Sequence, residues 1–305
     1  MPDDAVMGTG LVNKSGDFNC FLNVIIQSLW HLEDFRRELL RVRPSNGATE
    51  IAEWGVVKAL QHVFSDISND IRRGDEDSLV DPTELREALS NLYEGSKLFR
   101  KNEMNDASEV LAVLFECICK TLKECRGEKD TFVHKLFGLG GGWFFHIVFS
   151  QALRATVEAS KKDLSTHDLL LETEKSLNEG RLDSAGSALY ITGDKFPNIF
   201  TLVIAWHTAH ASCEDISIVV ENLGEELDVA KILGKESRPE QVHRLRGVVC
   251  FRGSHYHAYV RSEKLDKWLL FDDATIRQVG TWQNVKDSCI CGQIQPSVLF
   301  YELLI

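Results

Sequence analysis

Apolar side chains recur at intervals of three and four through the first third of the chain, which predicts a helical front. In "NCFLNVIIQSLW", Leu22, Ile25, Ile26 and Leu29 fall on one helix face. Cys20 stands at the start of that helix, with Asp17 and Asn19 before it. A second helix is predicted over "EDFRRELLRV". A third, "TEIAEWGVVKALQHVFSDI", carries Ile51, Trp54, Val57, Leu60 and Phe64 at helical spacing. "DPTELREALSNLY" opens with Asp81 as N-cap and Pro82 at the first helical position. In "NDASEVLAVLFECICKTLKEC", Asn105 and Asp106 open a helix whose inward stripe is Leu111, Leu114, Phe115, Ile118 and Leu122. From about residue 127 to 198 the regularity fails. "GLGGGWFF" interrupts structure, and the charge-rich "ASKKDLSTHDLLLETEKSLNEGR" predicts an exposed helix or an insertion. Strand patterns then take over in "IFTLVIAW", "VHRLRGVVCF", "HYHAYVR", "KWLLF" and "PSVLFYELL".

The expected class is therefore α+β, in a single domain over residues 1–305. It has a helical part at about 10–125, an insertion at 126–198 and a strand-rich part at 199–305. No internal repeat or low-complexity segment interrupts this plan. At 305 residues, 44% hydrophobic and 26% charged, the chain can bury a core. The net charge of −12 argues against nucleic acid as the main partner. The N-terminal "MPDDAVMGTG" lacks the basic and apolar regions of a signal peptide. Apolar runs such as "WFFHIVF" are too short to span a membrane. The eight cysteines (20, 117, 119, 125, 213, 250, 289 and 291) are too few for a disulfide scaffold. The expectation is reduced thiols, no membrane, and the cytoplasm or nucleus.

A thiol at a helix N-terminus calls for explanation, because free backbone N–H groups and the helix dipole favour a thiolate there. A nucleophilic cysteine also needs a base, and the base an orienting group. His31, His62, His134 and His243 sit in helical or strand patterns without an acidic companion at a useful spacing. "GSHYHAYVRSEKLDKWLLFDDATI" differs. It places His255 at a strand start and an Asp pair after the returning strand, so two antiparallel neighbours can bring His255 and Asp272 together. Taken singly, a cysteine reads as a buried small hydrophobe, a strand histidine as a satisfied residue, and paired aspartates as a turn. A helical front supplying the thiol and a sheet supplying the histidine is the plan of papain-like cysteine hydrolases.

"GLVNKSGDFNCFLNVIIQSLW" resembles the cysteine box of the ubiquitin-specific proteases, and "GSHYHAYVRSEKLDKWLLFDDATI" resembles their histidine box. "MNDASEVLAVLFECI", "PNIFTLVIAW" and "QPSVLFYELL" are similar to further boxes, in the family's order, from Gly10 to Leu304. The resemblance implies a papain-like fold of that type, with helical thumb, strand-rich palm and reduced, zinc-free fingers. It implies Cys20 as nucleophile, His255 as base and Asp272 as orienting carboxylate, with His257 as the rival base. It further implies hydrolysis of the (iso)peptide bond after ubiquitin's C-terminal glycine, with ubiquitin and its conjugates as partners and no cofactor. Asp106, Tyr256 and Asp273 take the places of residues near the ubiquitin tail.

Two departures matter. The family's oxyanion Asn lies five residues before the nucleophile, whereas Asn13 lies seven before Cys20, as in a divergent subgroup with a longer turn. Asn13, Asn19 or backbone N–H groups are the candidate oxyanion donors. Residues 126–212 also hold no cysteine, so the zinc-binding C-x-x-C pairs of many members are missing and no metal is expected. Cys117 and Cys119 in a helix, and the C-x-C of Cys289 and Cys291, read as core or loop thiols. The alternatives are a ubiquitin-binding scaffold that has lost turnover and a papain-like protease acting on other peptides.

Overall fold

The structure, a computed structural model, describes residues 8–43, 51–74, 78–140, 143–160, 164–178, 196–233 and 242–303. From the N-terminus, strand β1 (Gly10–Leu11) leads to helix α1 (Cys20–His31). Then come α2 (Glu33–Arg41), α3 (Ala52–Arg73), β2 (Leu79–Val80), α4 (Thr83–Leu92), α5 (Ala107–Arg126) and α6 (Phe132–Phe137). They are followed by β3 (His146–Phe149), α7 (Ser150–Ala159), α8 (Thr166–Asn178), β4 (Ile199–Ala205), α9 (Cys213–Glu221), β5 (Glu226–Asp228), α10 (Val229–Ile232) and β6 (Val242–Arg252). The last elements are β7 (His255–Ser262), β8 (Lys267–Asp272), β9 (Thr275–Gly280), α11 (Trp282–Gly292) and β10 (Gln295–Leu303). They pack as two units. One takes the chain up to Val133 together with Ser254–Gly280; the other takes His134–Gly253 and Thr281 onward.

In the first unit α1 is the central helix. Every residue from Cys20 to Trp30 is buried, so the helix is enclosed all round and not only on the predicted face. It packs on α5 and on β7. Leu60 and Phe64 of α3, and Leu111, Leu114, Phe115 and Ile118 of α5, complete the core. Ile51 and Trp54 are only half-buried; they sit at the N-cap and in the first turn of α3. Helix α4 begins at Thr83, one residue after the predicted start; the Asp81 carboxylate accepts from Thr83 N at 2.9 Å and so still closes its first turn. Strands β7, β8 and β9 form an antiparallel meander. The parallel pair β1–β2 is short, and Gly10 runs against the β8–β9 turn, where a side-chain Cβ would meet the Ala274 carbonyl oxygen at 2.6 Å.

In the second unit the strands run in the order β3, β4, β10, β6. β3 is parallel to β4, and the other two pairings are antiparallel. The "exposed helix or insertion" is α8, and it is not exposed. Leu169, Leu170 and Thr173 are buried, at the spacing of one helix face, and α8 packs against α7 and α10. Glu172 and Lys175 lie on the exposed face, while Glu174 is turned toward the buried His146. The "WFFHIVF" run contains the edge strand β3, which turns His146 and Val148 inward and leaves Ile147 and Phe149 exposed. Among the described residues, no helix is long and apolar enough to cross a membrane.

Candidate active site

All the candidate residues lie in the first unit. Cys20 is the first residue of α1 and is buried. The turn before it folds back on itself, with Asp17 N donating to Lys14 O at 2.9 Å. Gly16 and Phe18 both take the left-handed backbone, at φ 91° and 52°. For Phe18 that conformation is costly, by roughly 1–2 kcal/mol, and its side chain is exposed. Asn19 holds the N-cap position but makes no capping hydrogen bond. Its buried Oδ1 finds no donor among the described residues.

His255 opens β7 and Asp272 ends β8, so the hairpin brings them side by side as the strand pattern requires. His255 Nε2 lies 2.5 Å from Asp272 Oδ1. The Cys20 thiol lies close enough to act on the same imidazole. The hydrogen bond to Asp272, and then the neighbouring Cys20 thiol, raise the His255 pKa to about 10. The same bond to His255 holds the Asp272 carboxyl below its usual range, against the opposing effect of burial. The rival base, His257, is buried and packs edge-on against Tyr259. Its effect on the site is to add positive field at Asp272.

Asp273 occupies the two-residue turn between β8 and β9, at φ 50°. The turn reading of the paired aspartates holds for this residue, and its carboxylate does more. Oδ2 accepts from Asn13 Nδ2 at 2.7 Å, and Oδ1 from Asn23 Nδ2 at 2.8 Å. The Asp273 carbonyl accepts from Leu11 N at 2.9 Å. Asn13 Oδ1 in turn accepts from Asn19 N at 2.9 Å. Asn13 is thereby fixed from both ends of its carboxamide, beside the start of α1. Asn23 is a member of the site that the motif reading did not single out. Its signal was present: Asn19, Asn23 and Gln27 recur every four residues, so three carboxamides line one stripe of a buried helix. Gln27 continues that stripe, donating to Thr9 O at 2.7 Å.

Asp106 is the N-cap of α5. Its Oδ1 accepts from Ser108 N at 2.8 Å and Glu109 N at 3.2 Å, and its Oδ2 from Tyr256 Oη at 3.2 Å. Burial, and then the Asp106 charge, push the Tyr256 phenol pKa upward. Among the described residues, one group brings three potential metal ligands within 4.8 Å of one another: His255, Asp272 and Asp273. His255 and Asp272 pair with each other, and Asp273 accepts from Asn13 and Asn23.

Residues 9–301 match the family described as "Ubiquitin carboxyl-terminal hydrolase". The chain is 25% identical to ubiquitin carboxyl-terminal hydrolase 53 of Homo sapiens, over 96% of its own length and 30% of the relative's. It is 25% identical to ubiquitin carboxyl-terminal hydrolase 54 of Mus musculus, over 96% and 20%. To ubiquitin carboxyl-terminal hydrolase 15 of Schizosaccharomyces pombe it is 24% identical, over 89% and 25%. The chain thus spans less than a third of the length of these relatives.

Proposed function

Since the chain belongs to the ubiquitin carboxyl-terminal hydrolase family, we propose that it is a cysteine-type deubiquitinase that cleaves the (iso)peptide bond after ubiquitin's terminal glycine. The observation that carries the reading is the His255–Asp272 pair at 2.5 Å, with the buried Cys20 at the start of α1 close enough to act on the same imidazole. His255 takes the thiol proton and is held cationic beside the thiolate by Asp272. The Cys20 sulfur bonds to the glycine carbonyl carbon. The C–N bond breaks, and the leaving lysine amine takes its proton from His255. Water then hydrolyses the thioester. The oxyanion falls to donors at the α1 start: the Cys20 N–H, which helix geometry leaves without an intrahelical acceptor, and the carboxamides of Asn13 and Asn19. Tyr256 and Asp106 border the path of the ubiquitin tail. Asp273 serves indirectly, by orienting Asn13.

The test uses ubiquitin carrying a C-terminal fluorogenic amide and ubiquitin carrying a thiol-reactive C-terminus. Wild-type protein is expected to hydrolyse the first and be labelled by the second. Cys20→Ala should bind ubiquitin and lose turnover by on the order of 10⁴-fold or more. Hydrolysis that survives Cys20→Ala would refute the assignment. A second reading is a ubiquitin-binding scaffold without turnover. It is favoured by the longer turn and by Asn13 Nδ2 being committed to Asp273. Ubiquitin binding with neither labelling nor hydrolysis would decide for it.

A further inference from the structure

Arg86 of α4 is a buried cation that the catalytic line does not use. Its Nη2 donates to the carbonyls of Arg100 and, at 2.7 Å, Glu103. Its guanidinium carbon lies 4.8 Å from the centroid of the Phe21 ring, and Phe21 also stacks on Phe99. Nε and Nη1 are covered and find no acceptor among the described residues. Burial lowers its pKa, while Asp17 and Glu103 act in the opposite sense. Keeping a charge buried with the donors of two of its three nitrogens unmatched costs stability. An apolar residue would serve better if packing were all that is needed.

Each contact leads toward the site. Phe21 follows Cys20 in α1, and Asp17 lies in the turn before it. The Arg100–Glu103 segment is closed by Asn105, whose Oδ1 accepts from Phe99 N at 3.0 Å, and it delivers Asp106. Asp106 receives the hydroxyl of Tyr256, and Tyr256 follows His255. We infer that Arg86 is a positioning residue that fixes the spacing of Cys20 and His255, by holding Phe21 on one side and the segment leading to Asp106 and Tyr256 on the other. This rests on the catalytic reading above. A lysine ammonium has donors enough for the two carbonyls that Nη2 bridges, but it is a compact, strongly hydrated point charge without the guanidinium's extended plane, so it does not fill the same place beside the Phe21 ring.

The experiment compares Arg86→Lys, Arg86→Met and Leu122→Ala in the full chain. Leu122→Ala is a destabilised control, since Leu122 is buried in α5, sixteen residues along the chain from the Asp106 cap. Three quantities are read: the melting temperature, the His255 titration midpoint by NMR, and kcat and KM on the fluorogenic ubiquitin amide. Both Arg86 variants are expected to lower the His255 midpoint by about one pH unit or more, as the imidazole loses the thiol. They should lower kcat at least tenfold with KM within about twofold. Leu122→Ala should lose melting temperature with the midpoint unmoved. If Arg86→Met does not fold, Arg86→Lys carries the test alone. A wild-type midpoint in Arg86→Lys, with kcat falling only as far as the folded fraction, would overturn the inference. If wild-type protein has no hydrolytic activity the catalytic reading fails, and the NMR midpoint still decides whether Arg86 sets the spacing.

Discussion

At the scale of single residues the site is a problem of proton placement. His255, at a pKa of about 10, is protonated in the folded protein at neutral pH, where a free imidazole at about 6.5 is mostly neutral. Its contribution to stability is therefore complete below roughly pH 6.5 and is lost as pH rises through about 10. Asp272→Asn removes the larger cause of the shift, so the NMR midpoint of His255 should fall toward the free value. Turnover should drop by on the order of 10³–10⁴, as in other triads deprived of their carboxylate. A midpoint that stays near 10 in Asp272→Asn would show that another group holds the proton. The residues of this line were legible in the sequence because each sits in a short local pattern: a thiol before an apolar stripe, a histidine at a strand start, an aspartate at a strand end. Arg86 was not, since nothing local distinguishes it from any arginine on an amphipathic helix. Its burial comes from a segment that folds over it.

At the scale of elements, capping and burial decide what a substitution does. Asp106 closes the first turn of α5, so Asp106→Ala should cost about 0.5–2 kcal/mol, measured by denaturant unfolding. Asp106→Asn, which can still cap, should recover most of that. If Asp106 also reads the ubiquitin tail, Asp106→Arg should raise KM beyond what lost stability explains, and a ubiquitin with a tail arginine changed to glutamate should recover part of the rate. Strand β3 and helix α8 share a buried pair. His146 Nε2 lies 3.3 Å from Glu174 Oε1 without hydrogen-bond geometry. Burial dominates both, lowering His146 to about 4 and raising Glu174 to about 8, so the pair is neutral near pH 7. The folded state then keeps the Glu174 proton where the unfolded chain, at about 4.3, has lost it. That erodes stability as pH rises toward 8. Glu174→Gln lacks this loss, so its melting temperature should gain on wild type between pH 6.5 and 8; a constant gap would mean that Glu174 ionises normally. Composition made this helix look exposed, because charge count ignores which face the charges occupy. The longer strands were read more faithfully, since short runs rich in Val, Ile, Leu and aromatic residues carry a strand signal of their own; β4 and β8 are buried along nearly their whole length.

At the scale of the whole molecule, the division into units follows packing and not sequence order. Periodicity is local, so it revealed a helical front and a strand-rich back. It could not show that Ser254–Gly280 joins the N-terminal helices while Thr281 onward joins His134–Gly253. The missing cysteines in 126–212 lead to an expectation at this scale: chelators should leave the unfolding curve unchanged, and one zinc per chain in a metal analysis would contradict it. The interleaving also reaches into synthesis. Asn13 and the carboxylate that orients it are 260 residues apart, and translation runs at roughly 5–20 residues per second. The nucleophile therefore leaves the ribosome tens of seconds before its base exists. On the proposed reading, a chain that ends before His255 carries the thiol without its base, so such fragments are expected to show no turnover.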